Sequence, residues 1–381
     1  ITTVTVTATD ASGNTATCSF DVTVNDVEDP MIVCPADITV SNDIGLCGAV
    51  VTYTDPTATD NCGSMTMETF TFSGALENFV VPAGVTMITI ETRGAGGGSF
   101  LDGNGLGGRG ASMTGDFVVT PGQTLELLVG GEGTFDPSFS FGAGGGGGSF
   151  VVDQTSGTPL IIAGGGGGVD GSGGGPVATV NPDANILEAG FDGNSQFGNS
   201  PTRFGVGGTA GQGGGYTTGP GGQGCAGNGG GFLTNGVTAS CGSSEGGFAY
   251  VNGGSGGIGG CSVLVTGGFG GGGGSGCSGG GGGGGYSGGG SSWDNPTNGG
   301  GGGSFNSGTN SMSIAGVQTG NGEIVITYIA AGVTVTQTAG LPSGSVFPVG
   351  TTTNTFIATD TAGNTATCSF DVTVNDTEDP V

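Results

Sequence analysis

The sequence contains no histidine, and its only basic side chains are Arg93, Arg109 and Arg203, set against 30 acidic ones for a net charge of -27. Without imidazole there is no Ser/His/Asp or Cys/His triad and no zinc site of the usual mixed ligation. So negative a chain repels phosphate backbones and anionic lipid, which argues against nucleic-acid binding. No apolar run reaches the roughly 18 residues of a membrane span, so no membrane insertion is expected of this segment. Lysine is missing altogether, so the many GxGxxG matches have no lysine-bearing phosphate loop beside them, and the GxSxG matches have no histidine to activate their serine. The acids are scattered, without the paired arrangement that glycoside hydrolysis needs. The chain reads as non-enzymatic, with no catalytic residues.

Glycine is what abounds, 96 of 381 residues, so side-chain volume for a core must be concentrated elsewhere. The nine cysteines form no CxxC pair, and disulfides in an oxidising, extracellular setting suit them better than metal. The stretch GNTATCSFDVTVND stands at Gly13–Asp26 and again, unchanged, at Gly363–Asp376. Over the longer comparison of Thr9–Pro30 with Thr359–Pro380, only Ala11/Thr361, Ser12/Ala362 and Val27/Thr377 differ, which marks an internal repeat. The expectation is one period of a longer tandem array. Residues 1–26 are then the C-terminal part of a preceding repeat, 27–65 with 330–376 a discontinuous β-sandwich, 66–329 an insertion, and 377–381 the link to the next repeat. Neighbouring repeats of the same chain are the first partners this implies, and Cys18 pairs outside the segment.

Within the frame, DITV and AVVTYT are short β-branched runs separated by the turn signal SNDIGLCG, and they read as a hairpin. The blocks CPADITV, GLCGAVVTYTDPTATDNC, GLPSGSVFPVGTTTNTFIATD and AGNTATCSFDVTVND resemble the hyalin repeat, an immunoglobulin-like module. Bacterial hyalin repeats resemble parts of long surface adhesins, including the gliding-motility adhesins of Bacteroidota, and the resemblance implies a scaffold rather than chemistry. Strand direction pairs Cys34 with Cys62 and leaves Cys47 with Cys368. The alternative, Cys34 with Cys368 and Cys47 with Cys62, stays open because spacing does not determine connectivity.

The insertion opens with ETFTFSGALENFVVPAGVTMITIETRGAGGG and closes with NGEIVITYIAA, both alternating with period two, and DFVVTPGQTLELLVGGEG adds two runs around a Pro-Gly turn. A second sandwich is expected from these. Between them lie runs such as Gly144–Gly148, Gly164–Gly168, Gly270–Gly274, Gly279–Gly285 and Gly299–Gly303. A flexible linker is the bland reading, but Phe139, Phe141, Phe150, Phe191, Phe197, Phe204, Phe232, Phe248, Phe269, Trp293 and Phe305 are apolar residues that linkers lack. Cys225 with Cys241 and Cys261 with Cys277 share one spacing and suggest two local disulfide loops. Polyglycine helices with three residues per turn present their N–H and C=O groups outward, so side-by-side helices can satisfy one another. The motifs ENFVVPAGVTMITIETRGAGGG, VTPGQTLELLVGGEG and GNGEIVITYI resemble the glycine-rich domain of bacterial surface proteins and of the extracellular part of the anaplastic lymphoma kinase family. That resemblance implies a β-sandwich joined to a polyglycine II bundle. The fold class expected is therefore all-β, tandem immunoglobulin-like sandwiches with this insertion.

Hard oxygen donors gather at Asn25, Asp26, Glu28 and Asp29 in VNDVEDP, and at Asn375, Asp376, Glu378 and Asp379 in VNDTEDP. Calcium takes such ligands, with Asp60 of the following domain as a further one; no other cofactor is expected. For want of a complete ligand set a solvated acidic linker is the preferred reading, with calcium as the alternative. LDGNGLGG at Asp102 and FDGNSQFG at Asp192 imitate the start of an EF-hand loop, but Leu106 and Gln196 stand at the third ligand position and no glutamate closes either loop, so both read as turns. The functional expectation is a structural segment of a secreted bacterial cell-surface adhesin or filament, giving reach and adhesion, with the glycine-rich domain projecting from the stalk. Its external partner would be a surface, a glycan or a protein. The alternatives are a carbohydrate- or ice-binding module and a protein-binding, receptor-like ectodomain.

Overall fold

The computed structural model describes all residues except 1, 11, 100–105, 137–141, 170–181, 194–203, 217–224, 241–242, 263, 278, 294–296, 331 and 379–381. Among the described residues the regular elements are strands, apart from a 3-10 turn at Tyr250–Asn252. Among the described residues no helix is long and apolar enough to cross a membrane. The chain divides into two compact units, Ile1–Met65 with Ile329–Val381, and Thr66–Tyr328.

In the first unit, four strands form a sheet in the order Thr334–Ala339, Gly350–Thr359, Thr365–Asn375, Ile38–Ser41. Gly48–Val51 pairs with Ser345–Pro348, and Met31–Val33 with Thr57–Thr59. Alternation along Thr365–Asn375 turns Phe370, Val372 and Val374 inward. They meet Ala49, Val51, Phe347 and Phe356 in one core. Tyr53 sets its ring edge-on to Phe347, Phe356 and Phe370, and its hydroxyl donates to the Leu341 carbonyl at 2.7 Å. The repeated tail forms the hairpin Thr2–Thr9/Thr15–Val22. Here the same residues lie open: Phe20 is 56% exposed where Phe370 is 3%, and Val24 is 84% exposed where Val374 is 1%.

Two expectations are corrected in this unit. DITV and AVVTYT do not form a hairpin, because Ile38–Ser41 adds in parallel to Thr365–Asn375 while Gly48–Val51 joins a different sheet. The parallel register sets Ile38 against Val372; followed back along both strands, it brings Cys34 beside Cys368. That is the disulfide formed, with a Cα separation of 5.8 Å. The pairs Cys34–Cys62 and Cys47–Cys368 do not form, and Cys47 and Cys62 are free and exposed, as is Cys18.

The second unit contains two five-stranded sheets. One runs in the order Thr309–Gln318, Gly110–Val118, Met87–Arg93, Glu323–Ala330, Ser64–Thr71. The other runs Phe305–Asn306, Thr158–Ala163, Ser149–Asp153, Thr124–Leu128, Leu76–Val80. Ile88, Ile90, Ile324 and Ile326 of the first are fully buried, as are Leu125, Leu127, Val151 and Ile161 of the second. Ser149–Asp153 is buried on both faces, so this strand sits between two layers. Its Phe150 and Val152 join Leu128 and Ile162 in a cluster with Phe232 and Tyr250. The rings of Phe150, Tyr250, Phe232, Tyr286 and Phe305 stack one on the next, covering sheet surface at low side-chain entropy. Of the aromatic residues singled out above, Phe139, Phe141 and Phe197 lie outside the described residues.

The glycine runs are ordered by backbone hydrogen bonds between tracts. Gly281 and Gly284 donate to Ala143 and Gly146, Gly282 and Gly285 to Gly227 and Gly230, and Gly283 and Tyr286 to Gly300 and Gly303. Residues three apart thus face the same neighbour, and one tract bonds to three others. With no Cβ in the way, the tracts approach closely enough for peptide groups to satisfy each other without water. Cys261–Cys277 closes a loop of this region. Cys225 is also disulfide-bonded, and its expected partner Cys241 lies outside the described residues.

Alkali tests the packing of the first sheet of this unit. The Tyr328 hydroxyl donates to Glu68 at 2.6 Å; desolvation, then that bond and the charge of Glu68, push its phenol up to about 12. A raised phenol contributes stability that is full below its ordinary value of 10.0 and lost as pH rises through about 12. Tyr328→Phe should therefore flatten the decline in melting temperature between those two pH values.

Candidate functional site

The repeated tail ends at Asp26, just before the sandwich begins. Asp60 follows the strand Thr57–Thr59, and Asp360 follows Gly350–Thr359. Three elements distant in sequence thereby bring one carboxylate oxygen each to within 4.8 Å of the others. Asp360 is 6% exposed. Its carboxylate accepts from the backbone nitrogens of Gly363 at 2.6 Å and Asn364 at 2.8 Å, and from the Asn364 side chain at 2.8 Å. Burial raises its carboxyl, but these bonds outweigh burial and hold it below the ordinary value. Asp10 and Asn14 of the preceding tail make the same loop, with bonds of 2.9 Å and 2.8 Å.

Asp26 is tied in through its carbonyl, which accepts from the Asn364 amide at 3.5 Å, and through Oδ1, which accepts from the Glu28 nitrogen at 3.2 Å. Its Oδ2 is buried and has no hydrogen-bond partner. An ionised oxygen taken out of water without a partner is costly. Asp60 accepts from the Cys62 nitrogen at 3.2 Å. Desolvation, with the charges of Asp26 and Asp60, pushes the Cys62 thiol up.

Of the expected ligands, Asp26 and Asp60 come together and Asp360 joins them unforeseen. Glu28 accepts instead from the side chain of Asn61, and Asn25 and Asp29 are exposed outside the cluster. In the second tail, Asn375 accepts from the Asn42 nitrogen at 3.0 Å, the Thr377 nitrogen donates to the Asn42 side chain at 3.0 Å, and Glu378 accepts from the Gly45 nitrogen at 2.8 Å. Asp376 stays exposed there, and Asp379 lies outside the described residues. Asp192 accepts from the Gly207 nitrogen at 2.8 Å, a local loop contact; Asp102 and Gln196 lie outside the described residues. Asp360 was legible in one respect, since D-x-x-G-N recurs at Asp10 and Asp360 within the repeated stretch.

The cluster makes a prediction for thiol chemistry. A thiol reacts as its thiolate, so at pH 8 Cys62 should label with iodoacetamide more slowly than Cys47, read by mass spectrometry of the folded chain. Equal rates would remove the carboxylate influence on Cys62.

Comparison with known proteins bears on the first unit and, for residues 315–328, on the end of the second. The family model of the HYR domain matches residues 315–374, a span that includes Asp360 and Cys368. Hyalin of Lytechinus variegatus is 44% identical over 91 residues, 23% of this chain and 17% of that protein. Hyalin of Strongylocentrotus purpuratus is 37% identical over 83 residues, 21% of this chain and 7% of that protein. The chain thus spans less than a fifth of the length of these curated relatives. On these matches it carries a hyalin-repeat domain.

Proposed function

We propose that this chain is a structural segment of a secreted surface fibre or adhesin, in which hyalin-type sandwiches follow one another and calcium stiffens the joint between them. The observation that carries this reading is the joint itself. One repeat's tail delivers Asp26 to Asp60 and Asp360 of the next sandwich, and the identical tail at the other end leaves Asp376 exposed. The exposed Phe20 and Val24, buried in their second copies, suit a tail whose own sandwich lies upstream.

The donor set fits calcium. Two Ca–O bonds of about 2.3–2.6 Å laid end to end span about 5 Å, and the three oxygens lie within 4.8 Å of one another. The unpartnered Asp26 Oδ2 is the atom most in need of a cation. When bound, the ion would offset two of the three carboxylate charges; Asp26, Asp60 and Asp360 would hold it, and the Asn61–Glu28 contact would fasten the strap beside it.

The glycine-rich unit, whose tracts bond with a period of three residues, is proposed to be a polyglycine II bundle on a β-sandwich, carried by the fibre as an insertion. The hyalin relatives and the disulfides support an extracellular setting. The likeness to bacterial surface adhesins, gliding adhesins included, supports a role in reach and attachment to an external surface, glycan or protein. Calorimetric titration of calcium into the chain tests the joint. Saturable binding that disappears in Asp360→Asn is expected, and no binding to the unaltered chain would take the ion out of the account.

A further inference from the structure

We propose that the glycine-rich unit carries a binding cleft for an alkylated ammonium group, formed by Phe72, Phe135 and Phe269 with Glu132 beside them. The cleft has a volume of about 680 Å³, inside the range of about 300–1,000 Å³ usual for small-molecule sites. Its floor is backbone: Gly131 donates to the Phe269 carbonyl at 2.8 Å and Thr134 to the Thr266 carbonyl at 2.9 Å. A Cβ on Gly131 would stand 2.9 Å from the Phe72 ring and 3.1 Å from the Phe269 nitrogen. Glycine there lets the Phe72 ring lie against the chain one residue from Glu132. The Phe72 and Phe269 rings are 6.5 Å apart and tilted by 58°, and Phe72 remains 38% exposed.

The charge in this cleft is unmatched. Glu132 is fixed by its nitrogen, which donates to the Asn321 side chain at 2.9 Å, while its carboxylate accepts no hydrogen bond among the described residues. The residue is exposed, yet partial desolvation pushes its carboxyl up. Among the described residues no basic one lines the cleft, and Arg93 is engaged by Glu91 and Glu323. A counter-charge must come from outside, and a chain of net charge -27 draws cations towards itself.

Aromatic faces attract a cation within about 6 Å of the ring centre. A lysine or arginine head brings three or five N–H donors, each needing an acceptor once water is removed. Apart from the Glu132 carboxylate the cleft has few to give, since Asn321 Oδ1 is taken by the Glu132 nitrogen and Thr134 Oγ1 by the Thr266 nitrogen. An alkylated ammonium has no such demand, and its methyl groups suit phenyl rings. A neutral sugar would need many donors, against the Asn321 amide and the Ser99 hydroxyl.

The test is titration of the full chain with choline, with its neutral isostere 3,3-dimethylbutan-1-ol, and with N-acetyl-lysine amide, followed by calorimetry. Saturable choline binding is expected, weakened about tenfold or more in Glu132→Gln and in Phe72→Leu, with the isostere weaker by a similar factor. Glu132 is exposed, so Glu132→Gln leaves the fold in place; circular dichroism checks both variants. Equal binding of choline and isostere would reduce the site to an apolar cleft. Tighter binding of the lysine amide would overturn the preference for alkylated nitrogen, and no saturation with any of the three would overturn the site.

Discussion

Millimolar calcium is expected to raise the melting temperature of the hyalin-type unit, a chelator to reverse the rise, and Asp26→Asn or Asp360→Asn to abolish the response. The effect follows from mass action on the folded state, in which Asp26, Asp60 and Asp360 are brought together and from which the unfolded chain scatters them. At a free concentration one hundred times the dissociation constant, a ligand of the folded form adds about 2.7 kcal/mol. For a domain of about 60–100 residues each kcal/mol moves the melting temperature by about 4–8 °C, so a rise of about 10 °C or more is expected. Acid should work in the opposite direction. Asp360 is held below its ordinary value of 3.8, so its contribution is present above that value and is lost as pH falls through the lowered one. A calcium-independent melting temperature, with Asp26→Asn neutral, would leave the acids as a solvated linker.

Gly282→Val is expected to destabilise the glycine-rich unit by about 3 kcal/mol or more, at the upper end of what overpacking costs. Gly282 donates to the Gly227 carbonyl at 3.1 Å. A Cβ there would run into the carbonyl oxygen of Gly289 and stand 2.7 Å from the nitrogen of Gly229. Both obstacles are backbone, and each belongs to a tract held by its own bonds, so neither can swing aside as a side chain would. Gly215 is the control, because among the described residues a Cβ there meets only Val237, at 3.9 Å; Gly215→Ala should stay within about 0.5 kcal/mol. Near-ultraviolet circular dichroism reports the loss through Tyr250 and Tyr286, whose rings stack with Phe232. Unchanged melting of the Val variant would mean that the tracts are loose, and the close-packed bundle would have to be given up.

The all-β class was legible because alternation is a local property. Ile88 and Ile90, or Phe370, Val372 and Val374, sit two apart and point to one side. What joins distant strands was not legible. DITV next to AVVTYT suggests a hairpin on local signals, whereas the partner of Ile38 is Val372, reached only after the whole insertion. Cys261–Cys277 forms as its spacing suggests, but the preferred pairing of Cys34 with Cys62 failed for the same reason and the alternative with Cys368 forms instead, since Cys34 is placed by that parallel register and not by its neighbours in sequence. At the joint, Asp26 and Asp60 could be read as oxygen donors in acidic stretches. Asp360 stands outside any acidic stretch; its burial comes from tertiary packing and its carboxylate is spoken for by Asn364 and Gly363. Glycine runs give no periodicity at all, and the three-residue alternation of hydrogen-bond partners exists only between tracts.

The joint is the central claim, and its most direct measure is mechanical. The strap between Asp26 and Pro30 is too short for a free tether, so on the proposed reading neighbouring sandwiches would be held by contact and by the ion. A chain of several tandem periods, imaged by electron microscopy with calcium and with chelator, gives a persistence length in each condition. A clear shortening on chelation, absent when every joint carries the Asp26→Asn change, is the result predicted. Equal stiffness in both conditions would contradict the calcium joint.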